Sequence, residues 1–248
     1  MIILKSSHEI EQMRKAGKVN AEIFDGLKAF IRPGTTTMDI DRYVEETIRR
    51  HGMIAAEKGY GGFPANVCTS VNEEVVHGIP SSERVLADGD IVSVDLVVQY
   101  GRYMADSCRT YGVGTISEQS QRLIDTAEKA FFEGIKYARE GHRLFDISSR
   151  IQEVVESEGF GVIRDYTGHG IGTEMHEDPP IPNYGKAGRG PRLQRGMTLA
   201  IEPMIVEHSY ETDTLPNNWT VVTEDGGRAA HYENTLAITD GEPDILTI

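Results

Sequence analysis

Residues 89–98 read GDIVSVDLVV, and residues 196–206 read GMTLAIEPMIV. Each is an apolar run typical of a buried β-strand, and each contains one acid, Asp95 in the first and Glu202 in the second. An ionised carboxylate in such a strand is costly unless it is protonated, paired with Arg or Lys, or exposed at a sheet edge. Any of these explanations suits one acid alone. Two acids at equivalent positions of two similar runs indicate a shared role.

The two runs belong to an internal repeat with an offset of 107 residues. Residues that coincide at this offset include Phe24 with Phe131, Gly34 with Gly141, Asp39 with Asp146, Ile40 with Ile147, Glu46 with Glu153, Gly52 with Gly159 and Gly89 with Gly196. We therefore predict two similar halves, at about 8–112 and 117–240, each with two helices followed by antiparallel strands. Packed together, the halves would form one α+β domain over residues 1–248.

Four amphipathic helices are predicted, two in each half. The first begins at Ser6, which forms the pattern of a capping box with Glu9, and it ends at about residue 31. The second begins at about Thr37 and ends near Gly52, a residue suited to a helix C-terminus. The corresponding helices of the second half lie in SEQSQRLIDTAEKAFFEGIKYA, residues 117–138, and in REGHRLFDISSRIQEVVESEGF, residues 139–160.

The segment that follows Asp95 is predicted to fold back as a β-hairpin. If Tyr100 and Gly101 form a two-residue loop, Asp95 lies directly opposite Asp106, with Cβ atoms about 5 Å apart. A longer loop would keep the two carboxylates close but offset. Like charges at this distance repel each other, and a divalent cation between them would turn the repulsion into attraction.

The stretch TGHGIGTEMHEDPP, residues 167–180, adds two histidines among glycines. Alone, these histidines are typical of an ordinary turn, and the acid of HYENTLAIT, residues 231–239, is typical of a surface residue. Joined to the strand acids, Glu233 and the first of these histidines, His169, form a set of oxygen donors with one imidazole and too much negative charge for a single ion. Such a set favours two divalent cations, Mn, Fe, Co or Zn, which in a two-metal site activate water. The candidate ligands are Asp95, Asp106, His169, Glu202 and Glu233.

Composition excludes several other classes of protein. The formal net charge is −14, and nucleic acid is therefore a poor partner, because binding to it depends on Lys and Arg that neutralise phosphates. No apolar run approaches the roughly 18 residues of a membrane span. The two cysteines, Cys68 and Cys108, provide no disulfide framework, and we expect a reducing cytoplasmic location.

Several motifs together resemble the pita-bread metallopeptidases, and specifically the type I methionine aminopeptidases. The motifs are GYGGFPANVCTSVNEEVVHGIP (59–80), DGDIVSVDL (88–96), ADSCRTYGVG (105–114), TGHGIGTEMHEDPPIPNY (167–184), GMTLAIEPM (196–204) and HYENTLAIT (231–239). The resemblance covers residues from about 55 to 238, and its combination of motifs is highly specific. It implies a pita-bread fold of two α-α-β halves around a dinuclear metal site, with the five ligands given above.

The resemblance also implies the activity and the roles of further residues. The reaction is removal of the initiator methionine from nascent polypeptides, with a small second residue preferred. Glu202 would be both a metal ligand and the proton shuttle, and His176 and His77 would contact the substrate and steady the tetrahedral intermediate. The methionine side-chain pocket would be lined by Tyr60, Phe63, Cys68, Met175 and Trp219.

The chain departs from its relatives at two places. Met175 occupies a pocket position where relatives often have Phe, and ADSCR stands where relatives more often have a segment that begins with GD. Neither change removes a metal ligand, so they bear on the shape of the pocket and on metal affinity. We expect neither the long helical insertion of type II enzymes, which favours type I, nor the extra N-terminal domain of prolidase-like relatives.

Two other classes of function stay open at this stage. One is a non-catalytic protein of the same fold that binds peptides, and the other is a different metal-dependent hydrolase such as a phosphoesterase. Cys68 as a nucleophile is disfavoured, because no base and orienting group accompany it in the sequence. We expect a monomer with no DNA or membrane partner, and docking on the ribosome stays open.

Overall fold

The computed structural model describes all 248 residues and contains four α-helices and fifteen β-strands. The helices are α1 (Ser7–Phe30), α2 (Thr37–Arg50), α3 (Glu118–Gly134) and α4 (Leu144–Ser157). The strands are β1 (Ile54–Ala55), β2 (Cys68–Val71), β3 (Glu74–Val76), β4 (Ile91–Tyr100), β5 (Tyr103–Gly112), β6 (Gly161–Val162), β7 (Gly168–Gly170), β8 (Glu177–Ile181), β9 (Thr198–Ile201), β10 (Met204–Val206), β11 (Thr212–Thr214), β12 (Val221–Thr223), β13 (Ala229–His231), β14 (Glu233–Ala237) and β15 (Asp244–Ile245). Short 3-10 helices span Tyr60–Gly62 and Ile135–Tyr137.

The four helices lie where the sequence predicts them. The capping box at the start of α1 is confirmed, since the Ser6 side chain accepts from the Glu9 N–H while the Glu9 side chain accepts from the Ser6 N–H. A second capping box, between Thr36 and Asp39, begins α2. These contacts satisfy backbone donors that the first turn of a helix leaves unpaired. None of the helices is both long enough and apolar enough to span a membrane.

The main sheet has nine antiparallel strands and carries the candidate site. Its order is β1-β4-β5-β14-β9-β7-β8, with β2 paired to β4 and β15 paired to β14. Two three-stranded sheets, β13-β10-β6 and β11-β12-β3, lie beside it. The helices of the first half pack on β4 and β5, and α3 and α4 pack together in the larger apolar core of the second half.

The side chains of strand β4 alternate between a face packed against helices and a face that lines a cavity. Successive side chains of a strand point to opposite faces. The residues Val92, Val94, Leu96 and Val98 are buried in the core with α1 and α2. Asp95 and Val97 therefore lie on the other face, where they line a cavity. The run around Asp95 is apolar because one face of β4 is covered by helices, while Asp95 itself lies on the face that lines the cavity.

The hairpin forms in a different register from the one expected with a Tyr100–Gly101 loop. Tyr100 pairs with Tyr103, so Gly101 and Arg102 make the turn, and Gly101 adopts a φ of 61°. A left-handed conformation is open to glycine, which places it at the first turn position. Asp106 consequently lies opposite Val97 and diagonal to Asp95, while Asp95 faces Cys108. The two acids share a face, but they are offset, as a shifted loop requires.

The chain passes from one strand to the next at two places beside a candidate ligand. The run GMTLAIEPMIV divides at Glu202 and Pro203, since proline has no N–H to offer the sheet. The run AAHYENTLAIT divides at Tyr232, directly before Glu233. In both cases the chain passes from one sheet to another at the break, and β10 pairs with β13. The acids thus lie where the main sheet meets its small neighbour.

Corresponding positions of the two halves adopt matching backbone conformations. Gly34 and Gly141 both have a φ of 92°, and Gly89 and Gly196 have φ values of 95° and 90°. These are left-handed values at which a side chain would be strained. The division into half-repeats at about 8–112 and 117–240 stays a prediction, and these matched conformations support it.

A buried ion pair ties the N-terminal segment to the first residue of β8. Lys5 donates to the Glu177 carboxylate, and both side chains are about 95% buried, with 3% and 5% exposed. The other Glu177 oxygen accepts from the Thr173 N–H, which closes the loop that contains Met175 and His176. Ionic partners 172 residues apart in sequence thereby hold a segment of the candidate site.

We predict that Lys5→Met lowers the free energy of unfolding by about 3 kcal/mol, because it leaves a buried carboxylate without its partner. Urea denaturation measures the change. Lys28→Met is the matched control, since its pair with Asp25 is exposed and should add almost nothing. Equal denaturation midpoints for the two variants would contradict the structural role of the buried pair.

Candidate metal centre and side-chain pocket

A single cavity of about 210 Å³ opens on the inner face of the main sheet. It brings together every residue that the sequence assigned to the site. Its lining comprises the acids Glu57, Asp95, Asp106, Glu202 and Glu233, the histidines His77, His169 and His176, and the residues Tyr60, Phe63, Cys68, Val76, Val97, Tyr166, Thr167, Met175, Met204 and Trp219. Half of the lining is hydrophobic, so acids and apolar side chains face one enclosed space.

Five neighbouring strands each supply one of the five candidate ligands. In sheet order, β4 carries Asp95, β5 carries Asp106, β14 begins with Glu233, Glu202 follows the end of β9, and β7 carries His169. The register fixes these positions, since Glu233 pairs with Cys108 and His169 pairs with Ala200. The ligands are therefore held by backbone hydrogen bonds of the sheet rather than by flexible loops.

The distances within this group suit a shared cation. His169 Nε2 lies 3.6 Å from Asp106 Oδ2 and 3.6 Å from Glu202 Oε1. Ligand atoms of Asp106, His169 and Glu233 all lie within 4.8 Å of one another. His169 Nδ1 lies 2.9 Å from the Gly170 carbonyl oxygen, to which a protonated Nδ1 donates. That tautomer leaves the Nε2 lone pair free to face the acids, as in metal-binding histidines.

The acids have no cationic partner within the protein. Arg109, which follows Cys108, donates to the main-chain oxygen of Glu233 and to the Asn234 side chain. Its guanidinium also stacks 4.3 Å from the centre of the Tyr232 ring. Buried oxygens without any hydrogen-bond partner remain on Asp95, Asp106 and Glu233. Unpaired buried acceptors of this kind fit divalent cations, which prefer carboxylate oxygen.

Burial and mutual repulsion raise the pKa values of these carboxyl groups. Burial raises the pKa of Asp106 to about 7. The pKa values of Asp95, Glu202 and Glu233 are raised well above their usual range, first by burial and then by the neighbouring acids. The cluster therefore keeps protons to a higher pH than isolated carboxyl groups do, unless another positive charge replaces them.

His176 and Tyr60 stand beside this cluster as a hydrogen-bonded pair. His176 Nδ1 lies 2.8 Å from the Tyr60 hydroxyl, and the His176 ring centre lies 4.3 Å from that of His169. Burial, followed by the nearby His169, lowers the pKa of His176 to about 4. The ring is therefore neutral near pH 7 and has one donor and one acceptor nitrogen.

The apolar part of the cavity is built by aromatic contacts. Phe63 and Trp219 meet edge to face with ring centres 5.1 Å apart, and Trp219 lies 6.2 Å from the His77 ring. Phe63, Cys68 and Met175 are buried, while Tyr60 is 45% exposed at the mouth. His77 has a φ of 59°, a strained value for this residue type that the surrounding structure must hold.

Sequence reasoning missed two ionisable residues at the site. Glu57 lines the cavity near Cys68 and Asp95, yet it appears in the sequence as an ordinary acid of a turn, and only tertiary packing buries it. His231 was given no role, although it precedes Glu233 by two residues. A period of two would have put both residues on one face of a strand, so this signal was present.

Comparison with known proteins identifies what the chain is similar to. Residues 11–240 match the profile of metallopeptidase family M24. The chain is 55% identical to a methionine aminopeptidase of Clostridium acetobutylicum over 248 residues, which cover all of this chain and 99% of that one. It is 49% identical to methionine aminopeptidase 1 of Bacillus subtilis, with 100% and 99% covered. The crystal structure of a methionine aminopeptidase from Thermotoga maritima superimposes with a TM-score of 0.98 at 47% identity, covering 100% of this chain and 99% of that one.

We predict that metal ions stabilise the protein more strongly as pH rises. A carboxyl group whose pKa is higher in the folded than in the unfolded state stabilises the metal-free fold. This stabilisation is complete below the unfolded pKa, about 4, and is lost as the pH rises through the folded pKa, which is about 7 for Asp106. Metal binding offsets the loss, by about 2.7 kcal/mol at a free concentration of 100 times Kd.

Thermal melting of chelated and metal-loaded protein between pH 5.5 and 8 measures this effect. The difference in Tm should widen with pH, partly because protons compete with metal for the ligands. In Asp106→Asn, which cannot titrate at this position, the widening should be smaller. A difference that is independent of pH would mean that these acids do not share a metal site.

Proposed function

The chain belongs to metallopeptidase family M24, and we propose that it is a metal-dependent aminopeptidase that removes the initiator methionine of nascent polypeptides. The observation that supports this best is the composition of the cavity. Five potential ligands from five neighbouring strands border an apolar pocket formed by Phe63, Cys68 and Trp219. A cluster of acids can receive a free N-terminal amine while the pocket receives its side chain.

Family membership implies divalent metal ions, and the residues of the cavity fit them. We assign two ions to Asp95, Asp106, His169, Glu202 and Glu233, because their unpaired buried oxygens and one imidazole suit Co, Mn, Fe or Zn. When bound, such ions act as Lewis acids that polarise the scissile carbonyl and lower the pKa of water. All remaining steps use side chains of this chain.

Glu202 is our assignment for the proton shuttle. In hydrolysis the water oxygen bonds to the carbonyl carbon, and the bond between that carbon and the peptide nitrogen breaks. Glu202 takes one proton from the water and passes it to the leaving nitrogen. Its position directly after β9, on the wall of the cavity, supports this role. Burial also raises the pKa of Glu202 well above its usual value, which suits a carboxyl group that must hold a proton in transit.

His176 is our assignment for the donor that stabilises the developing oxyanion. If the Tyr60 hydroxyl donates to Nδ1, the proton of the neutral ring lies on Nε2, which is then able to donate to the carbonyl oxygen. Tyr60 thus selects the useful tautomer of His176. We assign His77 to a further contact with the bound peptide, since its ring borders the same cavity beside Trp219.

The side-chain pocket accounts for selection of methionine. Phe63, Cys68, Met175 and Trp219 present apolar or sulfur-containing surfaces, and Tyr60 borders the mouth. We propose that the space beyond it limits the second residue to small side chains. We further propose a cytoplasmic location, which the two free cysteines, Cys68 and Cys108, support.

On peptide substrates, we predict rapid release of methionine from Met-Ala and Met-Gly peptides and very little from Met-Lys peptides. Leu-Ala peptides should be cut far more slowly than Met-Ala, because Leu is branched and does not match the pocket. Amino-acid release by metal-loaded protein measures each rate. Equal turnover of Leu-Ala and Met-Ala would contradict the pocket assignment. Binding without cleavage, or hydrolysis of phosphate esters instead, would contradict the proposed function.

We predict that His176→Ala and His169→Ala fail in different ways. Loss of an oxyanion donor typically lowers kcat about 100- to 1000-fold, and His176→Ala should do so with metal affinity retained. His169→Ala should weaken metal binding itself. Tyr60→Phe should lower kcat less than His176→Ala, because it removes only the control of the tautomer. Metal titrations alongside steady-state kinetics measure both properties, and the reverse pattern would mean that the two histidine roles are exchanged.

A further inference from the structure

His231 is a buried histidine at the edge of the acid cluster. It is the last residue of β13 and lies two residues before Glu233. Its side chain is 2% exposed, and Nε2 has no hydrogen-bond partner. A polar atom buried without a partner destabilises a fold, so this nitrogen calls for an explanation.

Strand pairing and hydrogen bonds fix the backbone of His231. His231 pairs with Met204 between β13 and β10. Its N–H donates to Thr110 Oγ1 at 2.9 Å, and the Thr110 hydroxyl donates to the His231 carbonyl oxygen at 2.9 Å. The backbone of His231 is thus fixed from two sides, so the fold places the start of its side chain beside the acids.

The Nε2 atom lies 3.7 Å from Glu202 Oε2 and 3.8 Å from Glu233 Oε2. These separations are too long for a direct hydrogen bond. They are close to the 3.6 Å separations that His169 Nε2 keeps from Asp106 and Glu202. Two donors that each lie about 2.1 Å from one ion can be at most about 4.2 Å apart. The distance between Nε2 and the nearby carboxylate oxygens is therefore, for both histidines, short enough for the nitrogen and the oxygen to bind the same ion.

His231 also lies close to potential ligand atoms of β4 and β5. One of its ring nitrogens, the Cys108 sulfur and an Asp95 carboxylate oxygen lie within 4.8 Å of one another. The imidazole is thus surrounded by potential ligand atoms from β4, β5 and β14 as well as by Glu202. None of the basic side chains of the protein makes an ion pair with these acids, so a bound cation has no competitor there.

We propose that His231 Nε2 is a ligand of the metal centre, a second imidazole beside that of His169, and that it shares an ion with Glu202 and Glu233. A centre with two nitrogen donors favours Zn, Fe or Co over Mn or Mg, because imidazole suits the former and oxygen ligands suit the latter. The inference rests on the proposed metal centre and adds a sixth protein ligand to it.

The test is binding of Co²⁺ and Zn²⁺ to metal-free protein, together with the visible absorption spectrum of the Co²⁺ form. His231→Leu fills the space without a donor atom and should weaken binding of one ion more than about 100-fold, beyond the 10- to 100-fold typical of residues outside the coordination sphere. His231→Gln keeps a polar group but replaces nitrogen with an amide, and it should shift the Co²⁺ absorption bands. The exposed His208→Ala is the control and should change neither property.

Equal affinity in wild type and His231→Leu would overturn the proposal. A loss below 100-fold in His231→Leu, with an unchanged Co²⁺ spectrum in His231→Gln, would overturn it as well, since His231 would then lie outside the coordination sphere. Failure of the wild-type protein to bind either ion would overturn the metal centre and the proposed function with it. Binding by the wild type that the variants leave unchanged would remove only the role of His231.

Discussion

The structure depends on one constraint: four carboxyl groups share a buried space in which no Lys or Arg side chain pairs with them. Asp95, Asp106, Glu202 and Glu233 line one cavity, and the nearest guanidinium, that of Arg109, is engaged by main-chain and amide oxygens. Charged groups so close repel one another strongly when they are desolvated. The fold therefore needs either protons or metal ions at this point, and it holds the acids rigidly enough that they cannot move apart.

The sheet supplies that rigidity. Four of the five candidate ligands lie in strands of their own and Glu202 directly follows β9; because these five strands are neighbours, the sheet sets the spacing of the candidate ligands. The opposite face of β4 is packed by α1 and α2 through its valines and leucine, which hold Asp95 in place from behind. The Lys5–Glu177 ion pair extends this support to the loop that carries His176. The candidate ligands and the loop of His176 thereby rest on different parts of one scaffold.

Much of this arrangement could be predicted from the sequence, because its signals are local. Capping residues and apolar periodicity predict the helices. Asp95 and Glu202 are recognisable as acids inside apolar runs. The exact pairing of the hairpin could not be predicted, since a loop at Tyr100–Gly101 and one at Gly101–Arg102 differ by two positions of register and both contain the glycine. The deeper miss, Glu57, depends on tertiary burial, because a lone acid in a polar stretch resembles a solvated residue until other strands cover it. His231 did carry a local signal, since it precedes Glu233 by two residues.

The central claim is that these carboxyl groups hold protons that divalent cations displace. Isothermal titration of Co²⁺ into metal-free protein at pH 7, repeated in buffers of different ionisation enthalpy, measures it most directly, since the dependence on the buffer counts the protons released. The account predicts two bound ions per chain and a net release of protons, because the pKa of Asp106 lies at about 7 and those of its neighbours are raised as well. Binding without release of protons, or no binding, would contradict it.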